Sequence, residues 1–240
     1  MTKTAANQSD ITSQTVKKLT TRAQLETAKA GTDSVELAKA GTDSVGVEDL
    51  LSPPYSAVNK ITDNVYLTGV GGIVRENIVG LRISCIINAT YEAPNYDVKG
   101  LECIRVPIDD TVDDDISPYL EEVADKLNEV VSENRRAIVH CVAGISRSSS
   151  LVLAYLVKYQ KLTLKEAFIH CRKCRELSQP NVGFFKSLIE FERKMFGKTS
   201  VQIVIKEING QNEEMPDIYA ELVNSSVKTL NTAVLNAAHI

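Results

Sequence analysis

A histidine, a cysteine, a glycine, an arginine and a serine stand at fixed intervals in VHCVAGISRSSS, residues 139–150. The apolar run AIVH (137–140) that precedes Cys141 has the composition of a buried strand, and SSSLVLAYLVKY after it is apolar nearly all round, as a deeply buried helix is. A cysteine where a strand gives way to a loop and then a helix lies where α/β sheets collect ligands. The loop amides and the positive end of the helix form an anion cradle across Val142, Ala143, Gly144, Ile145, Ser146 and Arg147. The same field stabilises a thiolate, which makes Cys141 a nucleophile at neutral pH. Arg147, on the first turn, can hold two oxygens of a phosphate with its planar fork, which a lysine cannot do. Gly144 permits the tight turn, and Ser148 puts a hydroxyl near the sulfur, where it helps the thiol leave a covalent intermediate. With five residue types fixed in position, average composition puts a chance match on the order of 10⁻⁵.

Several elements must hold this loop. NVYLTG (64–69), ISCIINAT (83–90), ECIRVPI (102–108) and AIVH are short Val- and Ile-rich runs that read as strands. In ISPYLEEVADKLNEVVSENR the residues Leu120, Val123, Leu127, Val130 and Val131 recur at helical steps, with Ser117 as cap and Pro118 at the first helical position. Thr163 and Glu166 make a capping box for another helix, and NVGFFKSLIEFERKMF carries one more. Strands alternating with helices predict an α/β domain: a central, mostly parallel sheet flanked by helices on both faces.

Residues 1–54 lack clusters able to bury a core and read as a disordered tail, in which AKAGTDSV occurs twice, at 28–35 and 38–45. Pro53-Pro54 marks the boundary, the catalytic domain spans 55–198, and 199–240 is a C-terminal extension. There VQIVI can add an edge strand, and Ile218, Leu222, Val223, Val227, Leu230 and Val234 trace an amphipathic helix that is either a packed appendage or a docking segment.

The 240-residue chain is 43% hydrophobic and 24% charged, an ordinary globular balance, and its net charge of −4 gives no general attraction to nucleic acid. Its longest apolar stretch, 151–157, is far too short for membrane insertion. The first twenty residues lack the apolar core of a secretory signal, although their scarcity of acids faintly resembles a transit peptide. Five cysteines then imply reduced thiols and a cytoplasmic setting, with the nucleus also open.

HCVAGISRS resembles the His-Cys-x-x-Gly-x-x-Arg-Ser signature of the cysteine-dependent phosphatases, and 55–198 is similar to the small atypical dual-specificity phosphatases. INATYEAPN (87–95), VPIDD (106–110) and QPNVGF (179–184) echo that family in order. The resemblance implies a phosphocysteine on Cys141, stabilisation of the equatorial oxygens by Arg147 and the loop amides, and no metal or other cofactor. Phosphorylated proteins are the implied substrates.

The leaving oxygen needs a proton, and DDTVDDD (109–115) supplies five candidate acids. Asp113, Asp114 and Asp115 precede a helix, where acids serve its dipole. Asp109 and Asp110 directly follow a strand, and alignment with the family's VPxxD pattern selects Asp110. The resemblance also places His140 in the hydrogen-bond network behind the thiolate and Asn181 as a brace of the phosphate loop. The residues alone make His140 a solitary and poor metal ligand and Asn181 a helix cap. Cys171-x-x-Cys174 looks like half a zinc site without a second pair, and Cys171 falls on the Leu164, Ala167, Phe168 face as core. Cys174 and Glu176 depart from the family, where many members carry Arg and Pro.

A phosphoinositide phosphatase is a rival, but its loop usually carries lysines where this chain has Val142 and Ile145. A non-catalytic phosphopeptide-binding scaffold is another, though such proteins have typically lost the nucleophile or the acid, and this chain keeps both. Lys17-Lys18 is too slight to claim kinase docking.

Overall fold

The computed structural model describes residues 47–96, 98–208 and 210–219. The tandem repeat and nearly all of the tail lie outside them, as do residues 220–234 of the C-terminal amphipathic pattern. In chain order the elements are α1 (Val47–Leu51), β1 (Asn59–Lys60), β2 (Val65–Gly69), α2 (Arg75–Gly80), β3 (Cys85–Asn88), β4 (Glu102–Arg105), α3 (Ser117–Ser132), β5 (Ala137–Cys141), α4 (Arg147–Tyr159), α5 (Leu164–Cys174), α6 (Val182–Phe196), β6 (Ile203–Ile208) and β7 (Gln211–Pro216).

Five strands form one sheet in the order β1-β2-β5-β3-β4. Only β1 runs antiparallel; β2, β5, β3 and β4 are mutually parallel. Every residue of β2, β3 and β5 is buried, which is why these runs read as continuous apolar stretches rather than as an alternation. The two faces are covered unequally. Val65, Leu67, Cys85, Ile87, Ala137 and Val139 point into the large core with α3, α4, α5 and α6, whereas Tyr66, Ile86 and Ile138 meet Ile73, Ile78 and Ile83 on the other side. Helices do flank both faces, but among the described residues the second carries only the short α2. Helix α4 lies in the centre of the large core, and all residues from Arg147 to Val157 are buried.

Two helix starts separate local signal from tertiary outcome. Thr163 and Glu166 form the expected reciprocal box, with the Glu166 N–H donating to Thr163 Oγ1 and the Thr163 N–H to Glu166 Oε2. Ser117, by contrast, is already inside α3, and Asp115 Oδ1 accepts its N–H at 2.9 Å. The N-cap position is Ile116, which has no side chain able to cap, and Asp115 just before it accepts the first helical N–H instead.

Both ends of the domain extend past the expected limits. Leu50 of α1 is buried, so packing begins before residue 55. At the other end Val201 and Ile218 belong to the main core, and Glu192 accepts the N–H groups of Leu164 and Ser200 and the Ser200 hydroxyl, tying the α6 exit to the start of α5. VQIVI does not add an edge strand to the central sheet. Strand β6 pairs antiparallel with β7 as a separate hairpin, turning at Gly210 (φ +80°). Asn-Gly at 209–210 is a strong hairpin signal, and it supplies β6 with a partner two residues away in sequence.

Candidate active site

The carboxyl ends of β2, β5 and β3 converge on the loop between β5 and α4. Cys141, the last residue of β5, is 1% exposed. Gly144 takes φ +69°, and a Cβ there would meet the Thr68 carbonyl carbon at 2.5 Å and Gly69 N at 2.7 Å. Both the torsion and the close approach of two backbones require glycine.

All five carbonyls from Val142 to Ser146 are engaged from outside the loop. Val142 O accepts from Val70 N at 2.9 Å, Ile145 O from Gln179 N at 2.9 Å, and Ser146 O from Ser150 N at 2.9 Å. Arg175 supplies the other two, donating from Nη2 to Ala143 O at 2.9 Å and from Nε to Gly144 O at 2.7 Å. A peptide is planar, so a carbonyl turned outward turns the following N–H inward. The N–H groups of 143–147 thus face the concave side, and Gly144 N–H donates to Cys141 Sγ at 3.2 Å. The Ser148 hydroxyl donates to the same sulfur at 3.1 Å.

Arg147 is 5% exposed. Its Nη1 donates to Glu92 Oε2 at 3.2 Å and to Ile108 O at 3.1 Å, and its Nε stands 3.9 Å from Asp110 Oδ2. Burial opposes the guanidinium charge, but Cys141, Asp110 and Glu92 around it outweigh burial and hold the charge on. The buried Nε has no hydrogen-bond partner, a costly state that an anion in the cradle would relieve.

His140 is buried on β5 with Nδ1 3.2 Å from its neighbour's carbonyl, Cys141 O. Burial pulls its pKa down to about 4, so the ring is neutral at physiological pH. It lies directly behind the nucleophile position but bonds the backbone rather than the sulfur.

The loop after β4 brings in the acids. Asn181, at the N-cap of α6, accepts the Phe184 N–H on Oδ1 while its Nδ2 donates to Asp110 Oδ1 at 2.9 Å and Thr111 O at 3.1 Å. Its own N–H donates to Ser146 Oγ at 3.0 Å. One residue therefore caps a helix, touches the phosphate loop and holds the Asp110 carboxylate. Asp109 is exposed, and its N–H is bonded to Asp114 Oδ2 at 2.7 Å. Asp114 and Asp115 each accept backbone N–H groups, in keeping with their expected structural use.

Three charged residues that pattern alone did not single out complete the site. Glu92 meets Arg147 from a loop in which Arg105 donates to the carbonyls of Thr90, Tyr91 and Ala93, and Asn88 donates to Ala93 O. Arg175, besides its two loop carbonyls, donates to Tyr55 O at 3.0 Å, Ala57 O at 3.0 Å and Asn59 Oδ1 at 2.7 Å. The INATYEAPN stretch was a usable signal for Glu92; nothing local marks Arg175. Cys171 lies in the core, where burial pushes its thiol up to about 11.

Residues 65–194 match the family of the dual specificity phosphatase catalytic domain. Human dual specificity protein phosphatase 14 is 38% identical over 149 residues, covering 61% of this chain and 75% of that protein. Dual specificity protein phosphatase 18 from Bos taurus is 32% identical over 176 residues, covering 73% of this chain and 92% of that protein. The crystal structure of human DUSP28 aligns with a TM-score of 0.56 at 24% identity, over 60% of this chain and 96% of that one, a likeness of fold.

Proposed function

The chain belongs to the dual specificity phosphatase family and is a protein phosphatase, and from that premise we propose that it hydrolyses phosphotyrosine and phosphoserine/phosphothreonine in proteins through a phosphocysteine on Cys141. The observation that carries this is the convergence on one buried sulfur of an N–H at 3.2 Å and a hydroxyl at 3.1 Å, beside a buried arginine whose Nε makes no hydrogen bond.

In the first step the Cys141 thiolate attacks phosphorus in line, the P–O bond to the side-chain oxygen breaks, and Asp110 gives its proton to that oxygen. The inward N–H groups of 143–147 and Arg147 take up the charge on the equatorial oxygens. In the second, Asp110 as carboxylate accepts a proton from water, which attacks phosphorus. The P–S bond breaks, and the thiolate departs into the hydrogen bonds from Ser148 and Gly144. His140, neutral and buried, holds the backbone at Cys141. Asn181 keeps the Asp110 carboxylate within reach of the cradle, and Arg175 keeps the loop carbonyls turned away from it.

Val142 and Ile145 bring no cations to the cradle, which suits a single phosphate on a protein and disfavours an inositol ring with several. Five free cysteines suit a reducing cytoplasmic or nuclear setting, and no helix among the described residues is long and apolar enough to cross a membrane. The test is acid-quenched mass spectrometry during turnover, with initial rates on phosphotyrosine peptides, phosphothreonine peptides and inositol phospholipids. The expected result is a phosphoryl adduct on Cys141 and turnover of both peptides. An adduct elsewhere, or a marked preference for the lipids, would overturn the proposal.

A further inference from the structure

The segment after residue 198 lies beyond the family match at 65–194, yet its last described residue reaches the back of the active site. Tyr219 donates its hydroxyl to Pro180 O at 2.7 Å. Its ring packs against Phe185, with centroids 5.2 Å apart and planes at 81°, and against Phe168 at 5.3 Å. Phe185 is on the first turn of α6 and Phe168 is on α5, so Tyr219 fills the angle between the two helices where the 175–181 connection passes. Ile218 beside it is 2% exposed, and the hairpin that delivers it is joined to α6 by the Lys186 ammonium, which donates to Glu214 Oε2 at 2.5 Å.

Pro180 is flanked by the two residues that hold both halves of the site. Gln179 N–H donates to Ile145 O of the phosphate loop, and Asn181 binds Ser146 Oγ on one side and Asp110 and Thr111 on the other. The Pro180 carbonyl is part of the same peptide plane as the Asn181 N–H, so a bond that fixes that carbonyl fixes the direction of the N–H. We propose that Tyr219 is a positioning residue for proton transfer: through Pro180 and Asn181 it sets where the Asp110 carboxyl stands relative to the phosphate, making the C-terminal hairpin part of the catalytic apparatus. This rests on Asp110 being the general acid. Burial raises the phenol well above its ordinary value, outweighing a smaller opposite effect of Arg172, so the hydroxyl stays a donor throughout an assay pH range.

A residue that merely stabilises the fold would lower every rate in proportion to the folded fraction. A residue that positions the acid lowers only rates that need the acid. The experiment is Tyr219→Phe in the full chain, with Asp110→Ala and the double variant, each assayed on a phosphopeptide and on an activated aryl phosphate whose leaving group barely needs a proton. Tyr219→Phe retains the ring stack, so the fold is kept, and melting temperatures are recorded beside the rates. Expected is a kcat loss of about three- to tenfold on the phosphopeptide and less than about twofold on the activated ester. The Tyr219→Phe effect should vanish in the Asp110→Ala background, since the two act as one unit.

Equal losses on both substrates, no loss on the peptide, or an undiminished effect in the double variant would overturn the proposal. If Asp110→Ala itself shows no dependence on the leaving group, the assignment of the acid fails and this inference falls with it. If Asp110→Ala behaves as a lost acid while Tyr219→Phe is inert, only the tether is refuted.

Discussion

The phosphate loop and the acid loop meet over one substrate position but are built in opposite ways. The loop from Cys141 to Arg147 is contiguous, buries Cys141, Gly144, Ser146 and Arg147, is shaped by one glycine at φ +69°, and is continued directly by a helix. The acid loop is open to solvent: Asp109 and Val112 are exposed, and Asp110 is partly so. It holds its shape through Asn181, some 70 residues away, and through Gly183, whose missing Cβ would stand 2.1 Å from Val112 O. The lesson is that the hydrogen bonds to the nucleophile's sulfur come from its own neighbours in sequence, Gly144 and Ser148, whereas the acid's carboxylate is held by a distant part of the chain. Pre-organisation suits the cradle, which must bind charge at once, and a loosely covered loop suits a group that must exchange protons with water.

The widest separation between the two regions should appear in activity. Cys141→Ser should cut turnover on the order of 10⁵-fold, because no other group in the cradle can form the covalent intermediate. Arg147→Lys should cost roughly 10³–10⁵-fold although the charge is kept, since the bidentate clamp is lost. Steady-state rates on an activated aryl phosphate measure both, because such a substrate bypasses the acid. Comparable residual activity in either variant would erase the distinction between the loops.

Next comes the acid loop itself. Asp110→Ala should lower kcat roughly 10²–10⁴-fold on phosphopeptides, with a much smaller loss on the activated ester. Wild-type kcat/KM against pH should be bell-shaped, with a basic limb that follows ionisation of the acid and disappears in Asp110→Ala. Asp109→Ala should change kcat by less than about threefold, because Asp110 and not the exposed Asp109 is the carboxylate held by Asn181 and close to Arg147. An unchanged basic limb in Asp110→Ala would transfer the role to Asp109.

A smaller effect concerns the chain ends that support the acid side. The fragment 55–198 retains all the proposed catalytic residues but loses Leu50, Val201, Ile218 and the Pro180 contact of Tyr219. It should melt at least about 5 °C below the fragment 47–219 in a thermal scan. Equal melting points would restore the narrower boundaries expected from composition.

A further effect is on the cradle's own stability. His140 has a folded pKa near 4 against an ordinary 6.5, so below pH 6.5 the unfolded chain takes up a proton that the folded one refuses. The stabilisation is complete above pH 6.5 and is lost progressively as pH falls towards 4, by on the order of 3 kcal/mol. Urea melts of wild type and His140→Asn across that window should show a shallower slope in the variant. Parallel slopes would mean that His140 is not the group that titrates.

What the amino-acid sequence determined by itself is whatever depends on short range. Cys141, Gly144, Arg147 and Ser148 fall within eight consecutive positions, and a buried strand followed by a loop and a helix is written in the apolar runs on either side. The mostly parallel sheet follows from the alternation of strands and helices, and the α5 capping box from Thr163 and Glu166 alone. The tertiary structure decided what depends on residues far apart. Glu92 faces Arg147 only because β3 and β5 are neighbours, and Arg175 reaches Ala143, Gly144 and Tyr55 only because α5 returns beneath the loop. VQIVI could have added an edge strand to the sheet, yet β6 pairs with β7 instead, since nearby partners close a loop at lower entropic cost. Asn181 could be read as a helix cap or as a brace of the phosphate loop; Oδ1 caps α6, its backbone N–H reaches Ser146 Oγ, and Nδ2 is left to bond whatever the fold brings beside it, here the carboxylate of Asp110.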